Sequence, residues 1–306
     1  MNVGLLAVDS RYPNLALMKL SAAHKSCGDS VQWYNPFDQY DVTYLSKIFT
    51  FTDDYKYPIN NSLLVKRGGT GYDYTTKLPT SIDMMQPDYS IYPSIDNRTA
   101  YGFLTRGCIR HCKWCIVPKK EGFVKPYMDI EQIAANGRDR IVLMDNNVLA
   151  IDYGIEQIEK IVKMGVHVDF NQGLDARLVT DDVAQLLAKT KWISYIRFAC
   201  DTSAQIDECD RAIERINNYG YKGRYLIYCI LIGDIRECYN RVMHWKNKGG
   251  RYLPFCQPYR DFGKPTPIPQ WQKDMAHWAN KRQLFTTCDF KDFSPRKQFK
   301  CEQYFD

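Results

Sequence analysis

Residues 107–118 read GCIRHCKWCIVP, and the three cysteines in that run decide how the rest of the chain is read. Cys108, Cys112 and Cys115 stand in the spacing C-x3-C-x2-C. Three soft thiolates on one short loop suit an iron–sulfur cluster. A [4Fe–4S] cube held by three cysteines keeps one iron open to a small molecule, and an open position marks reactive rather than structural metal sites. A zinc knuckle is the competing reading, with His111 as a fourth ligand. Cys3His zinc sites, however, usually draw their ligands as two separated pairs. Three ordinary buried cysteines fit less well, because Arg106, Arg110, Lys113, Lys119 and Lys120 make the segment basic rather than apolar.

This loop, with the aromatic Trp114 immediately before the third cysteine, resembles the signature of the radical S-adenosylmethionine superfamily. The resemblance implies that Cys108, Cys112 and Cys115 hold three irons of a [4Fe–4S] cluster and that S-adenosylmethionine chelates the fourth. Reductive cleavage would then yield methionine and a 5′-deoxyadenosyl radical, which takes a hydrogen atom from the substrate. In such enzymes the cofactor carries the hard chemistry, and the protein binds, orients and excludes side reactions.

Composition sets outer bounds. The chain has 306 residues, 45% of them hydrophobic and 25% charged, so it can bury one large core with a smaller appendage. No apolar run approaches the roughly 20 residues of a membrane span, and MNVGLLAVDSRYP has no basic leader followed by a long apolar stretch. Eleven cysteines in such a chain point to reduced thiols or metal ligands in a cytoplasmic protein, not to a disulfide framework. A net charge of +6 with 22 tyrosines and 6 tryptophans permits a nucleic-acid partner. Tyrosine serves equally well in packing, so that partner is not favoured.

From residue 99 onward, strand-like and helix-like segments alternate as βα units, which predicts a parallel sheet. Strands are expected at 100–107, 141–147, 167–173, 195–201, 224–233 and 251–259. Helices are expected at 128–138 with Asp129 as cap, 153–164 ended by Gly165, 181–189 capped by Thr180, 204–219 and up to residue 248. Six units fit a partial (β/α)6 TIM-like barrel, the fold the resemblance also implies. In full barrels the active residues lie beyond the C-terminal strand ends, and the cysteine loop sits where that rule places it. The barrel is assigned to residues 99–262, and residues 263–306 to a helix and aromatic, basic tail that cap it.

Residues 1–98 read as an N-terminal Rossmann-like α/β segment: a strand at VGLLAVDS, a helix over 14–26, then short strands at VQWYN and DVTYLSKIF. Some families of this superfamily carry a cobalamin-binding domain there. The D-x-H-x-x-G loop that ligates cobalt is missing, and His24 is expected to be a solvated helix residue. The segment is therefore read as a degenerate relative that binds no cobalamin. RGGTGYD (67–73) is expected to be a plain glycine-rich loop.

Candidate cofactor residues lie at the strand ends. Met144-Asp145-Asn146-Asn147 occupies the place where the superfamily commonly has a Gly-Gly-Glu-like segment that receives the methionine amino group, so the resemblance assigns Asp145 or Asn146 to that group. Arg197, flanked by Ile196 and Phe198, is expected to face the interior and needs an anion. The cofactor carboxylate and a salt bridge to Asp169 or Asp201 are the alternatives. Asn171 and Gln172 could bind the ribose hydroxyls or the substrate, and Trp114 joins the cofactor set. The remaining cysteines show no C-x2-C pair, and Cys200 and Cys229 read as small buried hydrophobes. Cys256, Cys288 and Cys301 are the combination that could hold a second metal group.

The expected activity is radical chemistry on a small molecule, with an electron donor such as flavodoxin or ferredoxin. A general resemblance to a queuine lyase suggests C–N cleavage of a modified 7-deazapurine base. The loop also resembles that of methylthiotransferases, which leaves modification of tRNA or protein as an alternative. A cluster or zinc protein that binds a partner without turnover is the non-enzymatic alternative. No residue is singled out as catalytic beyond the cofactor set.

Overall fold

In the first strand, β1 (Asn2–Ala7), Val3 and Leu5 are fully buried, as expected for a central strand of a parallel sheet. The computed structural model describes residues 1–261 and 266–306, so the domain boundary expected at 262/263 lies outside the described residues. The chain forms two compact units, one of residues 1–102 with 131–138 and one of residues 103–130 with 139–306.

In the first unit, β1 is followed by α1 (Leu15–Ser26), β2 (Ser30–Trp33), β3 (Tyr40–Ser46) and β4 (Ser62–Gly68). The sheet order is β2-β1-β3-β4 and every pairing is parallel. Asn14 caps α1 by accepting from the Leu17 amide at 3.2 Å, and its Nδ2 donates to Ser46 Oγ at 2.8 Å. The core beneath gathers Leu5, Leu17, Met18, Val42 and Ile91. β4 was not expected. Its half-exposed edge position shows none of the apolar alternation that marks a strand buried on one face. Its last residues carry RGGTGYD, where Gly69 has φ +94° and a Cβ would meet the Lys47 carbonyl oxygen at 2.4 Å. The glycines there serve close packing of two backbone segments. His24 departs from expectation too. Its Nδ1 pairs with Asp29 Oδ2 at 2.6 Å and its Nε2 with the Tyr44 hydroxyl at 3.0 Å, so it ties α1 to β3 instead of facing water.

Strand β5 (Thr99–Gly102) also belongs to the first unit. The helix expected over 128–138 shrinks to Ile130–Ile133, because Asn136 and Gly137 adopt φ of 62° and 74° and end it. Asp129, expected as its cap, accepts from Gln157 Nε2 at 3.0 Å.

The second unit follows the βα cadence. Its strands are β6 (Arg140–Leu143), β7 (His167–Phe170), β8 (Tyr195–Ala199), β9 (Arg224–Leu231) and β10 (Tyr252–Pro258). Its helices are α2 (Asp152–Met164), α3 (Asp181–Lys189), α4 (Ile206–Asn218) and α5 (Ile235–Asn247). β6 pairs with β7, β8 with β9, and β9 with β10, all parallel. A parallel bridge between Leu174 and Phe198 joins the β7 segment to β8, and the Leu174 amide donates to the Arg197 carbonyl at 2.7 Å. Consecutive strands thus lie side by side in chain order, the commonest arrangement for strands joined by short connections. Gly165 ends α2 at φ 68°, and Thr180 caps α3 by accepting from the Val183 amide.

The single helix expected within 263–306 divides into α6 (Gln270–Asn280) and α7 (Arg282–Thr287). Asn280 explains the break: its side chain accepts from the Cys256 amide at 2.7 Å and donates to the Cys256 carbonyl at 2.9 Å. The tail packs back on α6, where buried Asp274 accepts from Arg296 (2.7 Å) and Tyr304 (2.6 Å). All eleven cysteines are free. Cys200 and Cys229 are fully buried, in keeping with small hydrophobes. Cys256, Cys288 and Cys301 form no metal-binding group among the described residues. No helix is long and apolar enough to cross a membrane, among the described residues.

Candidate metal centre

The cysteine loop is anchored at its base by a buried carboxylate. Asp145, beyond β6, is 2% exposed and accepts from the Leu104 amide at 3.1 Å, from the Thr105 amide and from the Thr105 hydroxyl at 2.7 Å. Gly107 follows at φ +91°, and a Cβ there would sit 2.4 Å from the Phe123 carbonyl oxygen. Only glycine fits that turn. The Cys108 amide donates to the Gly122 carbonyl at 3.2 Å, which closes the loop, and the Cys115 amide donates to the Cys112 carbonyl at 3.0 Å.

Two further carboxylates grip the loop from its sides. Glu121 takes the Arg106 guanidinium at 2.7 and 3.0 Å, the Gly107 amide at 3.0 Å and Asn146 Nδ2 at 2.9 Å. Asp175, just beyond β7, accepts from Arg110 Nε at 2.8 Å and from Arg177 Nε at 2.6 Å. Against the cost of burial, those two guanidiniums hold the Asp175 carboxyl below the ordinary carboxylate range. The Asp201 carboxyl, pushed up by burial, lies near Trp114 and accepts from the Ile230 amide at 3.1 Å.

The three thiols are half-buried. Cys108 Sγ accepts from the Arg110 amide at 3.3 Å and from Asn147 Nδ2 at 3.5 Å, and Cys115 Sγ accepts from the Val117 amide at 3.5 Å. Burial pushes the Cys112 and Cys115 thiols up, so metal loading would release protons. No three His, Cys, Asp or Glu side chains converge on one ion among the described residues. A cluster does not need them to, because each thiolate binds its own iron. Soft donors, N–H groups directed at sulfur and no acid between Gly107 and Lys120 fit an anionic iron–sulfur cluster.

The cofactor residues expected from the sequence fall into two networks. Asp145 and Asn146 flank the loop, but both are engaged by protein: Asp145 with the 104–105 backbone, Asn146 with Glu121. Around Tyr228 lies the second network. Arg197 makes a bidentate pair with Asp169, both bonds 2.6 Å, and donates to the Tyr228 hydroxyl at 3.0 Å. That hydroxyl donates to the Asn171 carbonyl at 2.7 Å, while exposed Gln172 donates to Asn171 Oδ1 at 3.0 Å. Of the alternatives for Arg197, the structure shows the Asp169 salt bridge. Glu121 and Asn147 were missed as site residues. Glu121 is the first acid after a run of thiols and bases, a signal visible in the sequence. Asn147 gave none.

Asp145 carries a consequence for stability. Burial raises its pKa from an ordinary value near 3.8 to about 6. A raised folded-state value contributes stability that is complete below pH 3.8 and lost as pH rises through about 6. At roughly 1.36 kcal/mol per pH unit the difference is about 3 kcal/mol. In chemical denaturation, Asp145→Asn is expected to cost about 2 kcal/mol less at pH 7 than at pH 4, where the unfolded carboxyl is already more than half ionised. A cost that does not change with pH would refute this.

No protein-family model matches the chain, and comparison with curated proteins finds no match.

Proposed function

We propose that this chain is a radical S-adenosylmethionine enzyme. Its second unit is read as the greater part of a partial (β/α)6 barrel whose first loop holds a [4Fe–4S] cluster through Cys108, Cys112 and Cys115. The observation that carries the reading is the loop itself: three free, half-buried thiols, no acid among them, and backbone and side-chain N–H groups donating to two of the sulfurs. The cluster would supply the electron that cleaves S-adenosylmethionine.

The chain's own residues support binding of that cofactor. Asn147 is 3% exposed and its Oδ1 has no hydrogen-bond partner among the described residues, so a buried acceptor is available for an ammonium group beside Cys108. Arg110 and Arg177 keep about a third of their side chains exposed, which leaves positive charge for a carboxylate. These residues take over the parts that the sequence reading gave to Asp145 and Arg197. The substrate is proposed to be a small molecule such as a nucleobase, and the electron donor a flavodoxin or ferredoxin in a reducing cytoplasm.

The test is anaerobic. Protein reconstituted with iron and sulfide is given S-adenosylmethionine and dithionite, and 5′-deoxyadenosine is quantified with and without a panel of nucleobases, nucleosides and peptides. Formation that requires all three loop cysteines is the expected result, and the panel member that raises it names the substrate class. A fully loaded cluster that cleaves nothing would overturn the reading in favour of a non-catalytic cluster protein.

A further inference from the structure

The Asn147 side chain does something at the cysteine loop that cofactor binding does not require. Its amide nitrogen has two protons and two acceptors: Cys108 Sγ at 3.5 Å and Asp175 Oδ2 at 3.3 Å. Asp175 is itself fixed, since Arg110 Nε (2.8 Å), Arg177 Nε (2.6 Å) and Arg177 Nη2 (3.0 Å) all donate to it. Asn147 and Asp175 are 3% and 9% exposed, so neither bond competes freely with water. The arrangement is a chain from two arginines through a carboxylate and an amide to one sulfur.

We propose that Asn147, oriented by Asp175, is a positioning residue that sets the reduction potential of the metal group on this loop through its N–H bond to Cys108. The inference rests on the cluster reading above. Reduction adds negative charge that is shared by the thiolate sulfurs, and an N–H donor stabilises the more negative state. Outer-shell partners of metal ligands act in this way generally. Asp175 performs the orienting because its second oxygen holds the amide in the plane that presents the other proton to sulfur. Removing the donor makes the cluster harder to reduce.

The experiment is a potentiometric titration followed by electron paramagnetic resonance on the full-length reconstituted protein, without S-adenosylmethionine. Iron and sulfide content are measured first. Asn147→Leu keeps the shape and removes the donor, and at a fixed poise its ratio of reduced to oxidised cluster is expected to fall about tenfold, or about 59 mV for a one-electron couple. Asn147→Ala is the second variant, used where Leu does not fold. Asn147→Ser, which keeps a hydroxyl donor, is expected to recover part of the loss. A loaded variant with an unchanged midpoint overturns the inference and leaves the cluster reading intact. A variant that loses iron without a shifted midpoint in its loaded fraction assigns Asn147 a purely structural role, which also overturns it. Wild-type protein that assembles no cluster overturns both readings.

Discussion

Replacing Cys112 by alanine is expected to leave a folded protein that no longer retains iron and sulfide and no longer yields 5′-deoxyadenosine. Cys112 is the middle cysteine of the C-x3-C-x2-C loop, and its thiol makes no side-chain hydrogen bond among the described residues. The loop is held elsewhere: by Asp145 at its base, by Glu121 on Arg106 and Gly107, and by Asp175 on Arg110. Metal capture and folding are therefore separable at this position. Loss of an outer-shell partner commonly costs roughly 10–100-fold in metal affinity or activity, and loss of a direct ligand is expected to exceed that. Iron and sulfide analysis with far-ultraviolet circular dichroism checks both halves. An alanine variant that loads normally and cleaves the cofactor would show that Cys112 is not a ligand. A variant that unfolds would show that the thiol is structural.

Arg241→Ala is expected to destabilise the second unit by about 3–5 kcal/mol, the range for breaking a buried charged interaction. Arg241 lies on α5 and is completely buried. Its guanidinium donates to the Cys200 carbonyl at 2.8 Å, the Ile230 carbonyl at 3.0 Å and both Glu237 oxygens at 3.2 Å. One side chain thus ties α5 to β9 and to the segment just after β8, next to Asp201. Alanine would leave a cavity and two buried carbonyl oxygens without their donor, each costing about 1–3 kcal/mol. Arg241→Met refills most of the volume without restoring the bonds, so the gap between the two variants separates packing from hydrogen bonding. Urea unfolding of the apoprotein measures both. A cost below about 1 kcal/mol for alanine would mean the network adds nothing net.

Arg241 also shows how the sequence can mislead. Cys238, Arg241, Val242 and Trp245 recur at helical spacing and form the buried face of α5, so periodicity places the arginine inside. Its charge argues the opposite, and only its partners resolve the conflict. Arg197 is the counterpart: alternation in β8 set it opposite Ile196 and Phe198, and of the anions weighed for it the structure shows Asp169. β4 was missed because an edge strand lacks a fully buried face, and the helix after Asp129 was overextended because Asn136-Gly137 was not weighed as a stop.

The sequence by itself determined what depends on near neighbours. The spacing of Cys108, Cys112 and Cys115 is a local property, as are the apolar periods of α2 and α3, the Thr180 cap and the Gly165 stop. The parallel order of β6 to β10 follows from those local elements, because short βα connections leave few other arrangements. What only the tertiary structure decided is which polar groups at the strand ends are already engaged. Asp145 meets Thr105 across 40 residues, Arg197 meets Asp169 across 28, and Asn147 meets Asp175 across 28. Buried donors and acceptors must find partners, and a partner that far along the chain is chosen by packing in three dimensions, which no local pattern encodes.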